Sequence, residues 1–477
     1  MHVIFTKSVN FILLFHYMFA LNLGTFACEC KPDQNGNYVL PEKQVIDDSL
    51  VAKWGEDVDI SSLRKGDILL VKVGSQWQFA ELCSSSEFCF FRVHVVDETH
   101  LVQVSKKNIK KPVPFLSQLY RGVPSADEMV CLIQEIKKFL PNPQEDQSGA
   151  IQTVIISPES SVVATGDLHG DITSLRTNLH MQYHKKLLND ETSYPIYLGD
   201  YADRGLFGVE LWATLLNLKA KNPNLSLLRG NHESGLARSY GFFGQVVDKY
   251  IRSDDVIEEF ERLFRCLPQA LLVGSYSPKD KNNYRFILFC HGGLEKRLAK
   301  NMNSIMIEAI KMHMLNQTKK NPVTHYFSLS GDSGLMWSDP YSDRLKGLSG
   351  KGKAPSARGA KSVYDYDKSF IENYLKTSLS SKDSSEYSYC LDGIVRGHGH
   401  IPGGIVRLRD KRENDEDWEK LESGKAYTIE PGSVYSCTSS VLPDSDCYEA
   451  AFSVLKFDES GKWTLTPHIQ SLEKNKK

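Results

Sequence analysis

The sequence predicts a mixed α/β protein with a small β-rich domain near its N-terminus. From about residue 150 to residue 300, apolar runs typical of strands alternate with helix-like runs, which indicates an α/β layout. Residues 60–110 instead contain short β-like runs separated by Gly, Ser and Asp turns. The 477 residues are also too many for one ordinary core. We therefore expect one large domain and one smaller domain.

Composition excludes some classes of partner. The chain is 41% hydrophobic and 24% charged, which is typical of a globular protein. It has 57 Lys and Arg residues against 59 Asp and Glu residues, giving a net charge of −2. This balance gives no reason to expect nucleic acid or an anionic membrane surface as a partner.

Residues 1–27 have the pattern of a secretory signal peptide. One Lys precedes an apolar stretch, and small residues precede Cys28, so we expect cleavage after Ala27. The alternative is an uncleaved signal anchor, because residues 11–27 are nearly long enough to span a bilayer. Signal cleavage would leave no stable membrane span. The expected location is the secretory pathway, with the protein secreted or lumenal.

The ten cysteines all follow the predicted cleavage point. An even number of cysteines in an exported chain permits disulfides. We expect Cys83 to pair with Cys89 and Cys437 with Cys447, because both pairs flank polar, loop-like segments. The cysteines in the apolar contexts "RCLPQA" and "LFCHGG" are expected to be buried thiols.

The first predicted domain covers residues 28–112. Its runs "GDILLVKV", "WQFAELC", "FCFFRVHVVD" and "THLVQVS" suggest a small antiparallel barrel, and the pattern resembles SH3-like or Tudor-like barrels. We expect its aromatic residues mainly to fill the barrel. Alternatively they line a groove for a protein partner, with the domain acting as an adaptor or lid. The residues are Trp77, Phe79, Phe88, Phe90 and Phe91.

An amphipathic helix is predicted over residues 125–140. Ser125 is placed as its N-terminal cap. The apolar residues at helical spacing are Met129, Ile133, Ile136 and Leu140.

One local pattern recurs along the large domain. A β-like run ends, a glycine allows a sharp turn, and side chains suited to metal binding follow. The sites are Asp167 and His169 in "VVATGDLHGD", Asp200, Asp203 and Arg204 in "IYLGDYADRG", Asn231, His232 and Glu233 in "LSLLRGNHES", His291 in "FILFCHGGL", and His398 and His400 in "DGIVRGHGHI".

The repetition predicts a metal site. A single Asp or His after a strand is ordinarily a turn or capping residue, but five such positions in one chain favour a shared function. Because parallel strands end at the same edge of a sheet, these side chains can converge. Their carboxylate, imidazole and amide groups suit Mn, Fe or Zn, and the pattern needs no thiolate.

Five motifs together resemble the phosphoprotein phosphatase family of metal-dependent Ser/Thr phosphatases. They are GDxHG at 166–170, GDYxDRG at 199–205, LLRGNHE at 227–233, CHGGL at 290–294 and MWSDP at 336–340. The likeness covers residues 113–470 and implies a catalytic domain with the metallophosphoesterase fold, a central β-sandwich flanked by helices. Residues 471–477 would be a C-terminal tail.

The resemblance implies two divalent metal ions, with manganese expected first and iron or zinc as alternatives. Asp167, His169 and Asp200 would hold one ion. The second would share Asp200 and add Asn231, His291 and His398, with His400 as an alternative to His398. An ordered water activated by both ions would attack phosphorus in line.

The resemblance also implies roles around the phosphoryl group. Arg204 and Arg358, the latter in "SARGAKS", would bind its oxygens, a task that suits a planar guanidinium. His232 would donate a proton to the leaving group, and Asp203 would orient His232. Tyr435 would be the counterpart of the family's active-site tyrosine.

Three functions remain open at this stage. The first is hydrolysis of phosphoserine and phosphothreonine in phosphoprotein substrates. The second is a tyrosine-preferring phosphatase or a diadenosine-tetraphosphate hydrolase with the same metals. The third is an inactive phosphatase-like protein that presents its β-rich domain to a partner. Asp171 in "GDLHGD" is a form also found in bacterial-like branches, so the branch also stays open.

Overall fold

The computed structural model describes much of the chain from residue 55 onwards. Contacts within the chain define two compact units, and all described residues belong to the unit formed by residues 45–473. The predicted signal peptide at 1–27, Arg358 and His400 lie outside the described residues. The described residues are 55–58, 63, 67–73, 76–85, 89–95, 98–112, 114–120, 123–143, 149–188, 190–234, 241–295, 298, 301–315, 322–327, 333–339, 353–355, 364–366, 370–371, 374–375, 387–399, 405–408, 418–429, 433–437 and 449–471.

Six strands form an N-terminal sheet. They are β1 (Gly55–Asp57), β2 (Ile68–Val73), β3 (Gln76–Ser85), β4 (Cys89–Val95), β5 (Glu98–Val104) and β6 (Ile109–Pro112). The order is β1-β6-β2-β3-β4-β5, and every pairing is antiparallel. The strands expected between residues 60 and 110 are confirmed. The likeness to an SH3-like barrel and the domain boundary at residue 112 stay predictions.

Two sandwich sheets follow. The six-stranded sandwich sheet contains β8 (Ser161–Thr165), β9 (Ser193–Tyr197), β10 (Ser226–Leu227), β19 (Tyr427–Thr428), β21 (Glu449–Phe457) and β22 (Trp463–Ser471), in the order β10-β9-β8-β21-β22-β19. The eight-stranded sandwich sheet contains β7 (Gly149–Ile155), β11 (Ala270–Tyr276), β12 (Asn283–Cys290), β13 (Val323–Phe327), β16 (Ser388–Arg396), β17 (Ile405–Leu408), β18 (Trp418–Lys420) and β20 (Ser433–Cys437), in the order β13-β7-β11-β12-β16-β20-β17-β18. Strands β14 (Lys353–Pro355) and β15 (Tyr364–Tyr366) form a separate antiparallel pair.

The described α-helices are α1 (Pro114–Leu119), α2 (Ala126–Lys137), α3 (Ile172–His184), α4 (Gly208–Lys221), α5 (Phe242–Lys249), α6 (Ser253–Cys266), α7 (Met302–Met314) and α8 (Gly334–Trp337). The helix predicted over 125–140 is α2. Ser125 caps it in a reciprocal capping box with Glu128, and Met129, Ile133 and Ile136 are buried as expected. Among the described helices, none combines the length and the apolar character needed to cross a membrane.

The layers form a β-sandwich flanked by helices. One buried core lies between the two sandwich sheets. It contains Ile196 and Leu228 from the side of the six-stranded sheet, and Leu271 and Phe289 from the eight-stranded sheet. Helices α3 and α4 bury apolar residues in a second core with the outer side of the six-stranded sheet, and α7 packs on the outer side of the eight-stranded sheet. The predicted central β-sandwich with flanking helices is therefore confirmed.

The N-terminal sheet is apolar on both faces of β2 and β3. Leu69 and Phe91 are among the residues of the sheet's own core. Trp77 and Phe79 point to the other face and belong to the core of α1 to α6. The ring centroid of Phe79 lies 6.0 Å from that of Tyr120 and 5.1 Å from that of His180. The expectation that aromatic residues fill the barrel is right for Phe91 and wrong for Trp77 and Phe79, which bind the sheet to the helices.

The two expected disulfides are not formed. Cys83 and Cys437 are both free thiols, so pairing with Cys89 and Cys447 is wrong. Cys437 lies inside β20, where burial raises the pKa of its thiol to about 12. The two cysteines expected to be buried thiols, in "RCLPQA" and "LFCHGG", are buried and free.

The first prediction concerns the contact between the N-terminal sheet and the helices. Replacing the buried Phe79 by alanine (Phe79→Ala) should lower the free energy of unfolding by about 3 kcal/mol, because it leaves a cavity beside Tyr120 and His180. Urea denaturation of the full chain measures this. The control is Phe139→Ala, since the Phe139 side chain is 62% exposed. Equal unfolding midpoints for the two variants would contradict the packing role of Phe79.

Candidate metal centre

The predicted ligands come from loops that follow parallel strands. β8, β9 and β10 are adjacent and parallel in the six-stranded sandwich sheet, and β12 and β16 are adjacent and parallel in the eight-stranded sandwich sheet. The sequence suggested one sheet edge, whereas the structure uses the strand ends of both sheets. In strand order the loops carry Asp167, Asp200, Asn231, His291 and His398.

Asp200 lies at the middle of the cluster. Its Oδ2 is 3.4 Å from Nε2 of His169, 3.1 Å from Nε2 of His291 and 4.0 Å from Nε2 of His232. Two buried groups of possible metal ligands share Asp200: one adds His169 and His232, and the other adds His291 and His398. Within each group the ligand atoms lie within 4.8 Å of one another. Asp200 is therefore common to both groups, and the metal-bridging role that the family resemblance implies for it stays a prediction.

Asn231 and Asp167 lie in the same cluster. Oδ1 of Asn231 is 2.8 Å from Nε2 of His291 and 2.9 Å from Nδ1 of His398. Oδ1 of Asp167 accepts a hydrogen bond from the backbone N–H of His398 and lies 3.7 Å from Nδ1 of His291. All six predicted metal ligands are buried at this junction.

Two histidines are oriented by backbone carbonyls. Nδ1 of His169 is 3.0 Å from the carbonyl oxygen of Ala202, and Nδ1 of His291 is 3.1 Å from that of Leu198. A carbonyl accepts but does not donate, so Nδ1 carries the hydrogen in each ring. This leaves Nε2, the atom nearer Asp200, as the nitrogen available to bind a metal.

The electrostatics favour a cation at the cluster. Burial opposes charge on His291, but Asp200 and Asp167 outweigh it and raise the pKa of His291 to about 9. Burial raises the pKa of Asp167 to about 6. Burial also opposes the charge of Asp200, yet His291 and His232 hold the pKa of Asp200 well below its usual range. Buried carboxylates therefore retain negative charge only with positive charge beside them, and oxygen and imidazole ligands fit a divalent metal.

His232 is held between two carboxylates. Its Nδ1 lies 2.8 Å from Oδ2 of Asp203, and its backbone N–H donates to Oδ1 of Asp200. Burial opposes its charge, but Asp200 and Asp203 raise the pKa of His232 above its usual value. Asp203 is fixed in turn, because its Oδ1 accepts a hydrogen bond from the backbone N–H of Phe242. The structure thus brings together a histidine that favours its protonated form and the carboxylate that orients it.

The family of the chain follows from a comparison of sequences. The family model of the calcineurin-like phosphoesterases matches residues 160–402, just over half of the 477-residue chain. The chain belongs to this family. The match contains all six predicted metal ligands together with Asp203, Arg204 and His232. The expectation of a metallophosphoesterase is confirmed, and this family implies divalent metals, for which the buried cluster offers candidate ligand groups.

Curated relatives include serine/threonine phosphatases. The chain is 33% identical over 191 residues to a probable serine/threonine-protein phosphatase of Encephalitozoon cuniculi, which covers 39% of this chain and 35% of the relative. It is 29% identical over 237 residues to a catalytic subunit of protein phosphatase 2A from Dictyostelium discoideum, which covers 49% of this chain and 64% of the relative. These matches span about one third to two thirds of each relative's length.

Solved structures that align with the chain include a serine/threonine phosphatase. A protein serine/threonine phosphatase from Saccharomyces cerevisiae, described as similar to human phosphatase PP5, aligns with a TM-score of 0.47 and 19% identity. The alignment covers 76% of this chain and 95% of that chain.

The loops of this metallophosphoesterase centre have unusual backbone conformations. Positive φ angles are rare for residues with a side chain and cost about 1–3 kcal/mol each. Among the described non-glycine residues, five of the six with positive φ lie here, and the sixth is Lys186. The five are His169 (42°), Asp200 (55°), Asp203 (67°), Arg204 (65°) and His398 (63°). Surrounding contacts must therefore hold these loops in place.

Glu233 supplies many of those contacts. Its Oε2 accepts hydrogen bonds from the backbone N–H groups of Asp200 and Gly230, at 2.8 and 3.0 Å. Its Oε1 accepts from those of Tyr201 and Ala202, at 2.9 and 3.1 Å. From the sequence, Glu233 in "LSLLRGNHES" was one of the side chains suited to metal binding, but its positioning role was not predicted, because these four donors come together only in the fold. Its position beside two predicted site residues was the available signal.

Arg396 is a second positioning residue that sequence reasoning missed. Its buried guanidinium donates to the carbonyl oxygen of Gly292 and, at 3.0 Å, to Oδ1 of Asp339. It thereby joins the "VRGH", "CHGG" and "WSDP" segments, two of which carry His398 and His291.

The remaining predicted residues are placed differently. Arg204 is exposed, and it directly follows the buried Asp203. Tyr435 is buried in the core between the two sheets, and its hydroxyl lies 3.5 Å from the carbonyl oxygen of Thr428. The expected active-site role of Tyr435 therefore stays a prediction. Because β20 is a core strand, the alternation of side chains turns this ring inward.

The second prediction tests Glu233. The variant Glu233→Gln has one side-chain oxygen, so it cannot accept all four backbone hydrogen bonds that hold the Asp200 and Gly230 loops. Manganese affinity, measured by calorimetry on the full chain, should fall about 10-fold to 100-fold. The matched control is Glu258→Gln on the surface of α6. Equal affinities for both variants would show that Glu233 does not position the centre.

Proposed function

We propose that this metallophosphoesterase is a protein phosphatase that hydrolyses phosphoserine and phosphothreonine monoesters. The observation that carries the proposal is the contact of His232 with Asp203, immediately beside the shared carboxylate Asp200. The names of the curated relatives support the same activity. The phosphate ester of a serine or threonine has a strongly basic leaving group, so its hydrolysis needs a proton donor at this position.

The buried ligands would hold two divalent ions, with manganese as the first candidate and iron or zinc as alternatives. Asp167, His169 and Asp200 would hold one ion, and Asp200, Asn231, His291 and His398 the other. When bound, such ions supply an activated water and offset charge on the phosphoryl oxygens. The chain's own contribution is to keep these ligands fixed through the Glu233 carboxylate and the backbone carbonyls behind the histidines.

Three described residues serve the protein side of the proposed reaction: His232, Asp203 and Arg204. Nδ1–H of His232 donates to Asp203, which leaves the second proton of the charged ring at Nε2, available to the leaving oxygen. Arg204 follows Asp203 directly and is exposed, so its guanidinium is suited to bind the phosphoryl oxygens of an arriving substrate. Arg358 keeps the same predicted role on the sequence alone.

We further propose a secretory or lumenal location, which the signal-like segment at residues 1–27 supports. Phosphoproteins of that compartment would then be the substrates. Expression with a C-terminal tag, followed by sequencing of the mature N-terminus from the medium and lumenal fractions, tests this. Cleavage after Ala27 supports it, and an intact N-terminus in the cytosolic fraction overturns it.

The third prediction concerns His232. The variant His232→Asn should keep metal binding but lose about 100-fold or more of its turnover on a phosphoserine peptide, because the alkoxide no longer receives a proton. Turnover of an aryl phosphate should fall less, since its leaving group is far less basic. Steady-state kinetics on both substrates, with the metal content measured, gives the comparison. Equal losses on both substrates would remove the proton-donor role.

The fourth prediction tests the substrate class. Phosphate release from matched phosphoserine, phosphothreonine and phosphotyrosine peptides and from diadenosine tetraphosphate should be found for the first two alone. It should disappear in Asp200→Asn, which loses the carboxylate common to both ligand groups. Turnover confined to phosphotyrosine or to the dinucleotide would replace the proposed substrate. Bound metal without turnover of any of them would favour the inactive, partner-binding alternative.

A further inference from the structure

A cavity lies away from the metal centre, at the edge of the β-sandwich. Its volume is about 340 Å³, at the small end of the range for ligand pockets. Strands β7, β9, β10 and β11 provide its walls, together with the turn after α4 and the segment after α2. Most of the lining side chains are apolar, including Leu227, Leu271 and Val273.

One charged group lines this cavity. Lys219, near the end of α4, is 8% exposed, and its Nζ donates to the carbonyl oxygens of Pro223 and Leu225. An ammonium has three hydrogens, so these two bonds leave one donor unused. Among the described residues, no carboxylate lies within ion-pair distance of Nζ, and the cavity lining contains no Asp or Glu.

A buried ammonium without a carboxylate is unusual, because removing a charge from water is costly unless a counter-charge compensates. Burial lowers the pKa of Lys219 to about 8, so the group still carries its charge near neutral pH. An anion in the cavity would compensate this charge. An apolar group attached to that anion would fill the remaining volume and cover the Leu and Val side chains.

We propose that the cavity binds a small amphiphilic carboxylate, a medium-length alkyl chain with one carboxylate group that pairs with Lys219. The chain would lie on the apolar faces of β7 and β11 between the two sheets. Phe139, whose ring is 62% exposed, stands among the lining residues and would cover the open side of the ligand.

The cavity is connected to the metal centre by a short piece of chain. Leu227 ends β10 in the cavity wall, and Asn231 and His232 follow within five residues. The backbone N–H of Arg229 donates to the carbonyl oxygen of Pro268, another lining residue, at 2.8 Å. A ligand that moves Leu227 or Pro268 would therefore change the position of Asn231, so the site is suited to regulate the phosphoesterase reaction.

The test is binding of octanoate to the full chain, measured by calorimetry near neutral pH and by the carboxylate signal of octanoate labelled with carbon-13. The expected result is saturable binding that Lys219→Met weakens about tenfold or more, since methionine keeps the bulk and removes the charge. Octanol, which has no charge, should bind the wild type and Lys219→Met with equal affinity.

Two further arms keep the proposal falsifiable. Val154→Phe, which reduces the cavity volume while leaving Lys219 in place, should abolish binding of both octanoate and octanol. If Lys219→Met fails to unfold cooperatively, Val154→Phe still tests whether the ligand binds in this cavity. Lack of saturable octanoate binding to the wild type, unchanged affinity in Lys219→Met, or binding of an acidic apolar peptide in place of octanoate would each overturn the proposal. None of these readouts depends on phosphatase activity.

Discussion

Four backbone N–H groups from two loops converge on the carboxylate of Glu233, and the geometry of the metal centre depends on this convergence. The loop after β9 places Asp200 in a left-handed conformation, which is unfavourable unless other contacts hold it. The loops of Asp200 and Gly230 also approach each other closely, since a Cβ on Gly230 would lie 2.2 Å from Oδ1 of Asp200. Burial and the nearby Asp200 raise the pKa of Glu233 to about 7, so a cation beside these carboxylates would favour the ionised form that accepts all four hydrogen bonds.

Helix α3 joins this centre to the N-terminal sheet. Asp171 caps the helix, accepting hydrogen bonds from the backbone N–H groups of Thr173 and Ser174, and it directly follows the loop of Asp167 and His169. Farther along, the same helix presents His180 to Phe79 of the N-terminal sheet. The N-terminal sheet is thus packed on the helix that follows one ligand loop. Asp171 therefore has a structural role as a helix cap, whichever branch of the family the chain belongs to.

The sequence predicted best those features that depend on residues close together along the chain. Glycine turns after apolar runs located the loops that carry the six predicted metal ligands, which the family resemblance then selected, and Ser125 as a cap located the start of α2. Contacts between distant segments were less accessible. The alternation of apolar residues along the strand showed that Phe79 is buried, but it did not show which surface covers it. Cysteine spacing could not show that Cys83 lies at a β-bulge and stays a free thiol. The role of Glu233 and the Lys219 cavity arise only when separate segments pack.

The position of His232 between two carboxylates separates its proposed proton donation from the proposed metal binding. Asp200 lies in both ligand groups, so bound cations would take up much of its negative charge and weaken its effect on His232. Asp203 is in neither group, and its two oxygens are already engaged by His232 and by the backbone N–H of Phe242. In the metal-loaded enzyme, Asp203 would therefore be the carboxylate that keeps His232 protonated. A neutral residue at position 203 would leave the proton donor opposed by the nearby cations, although the metal ligands themselves would be unchanged.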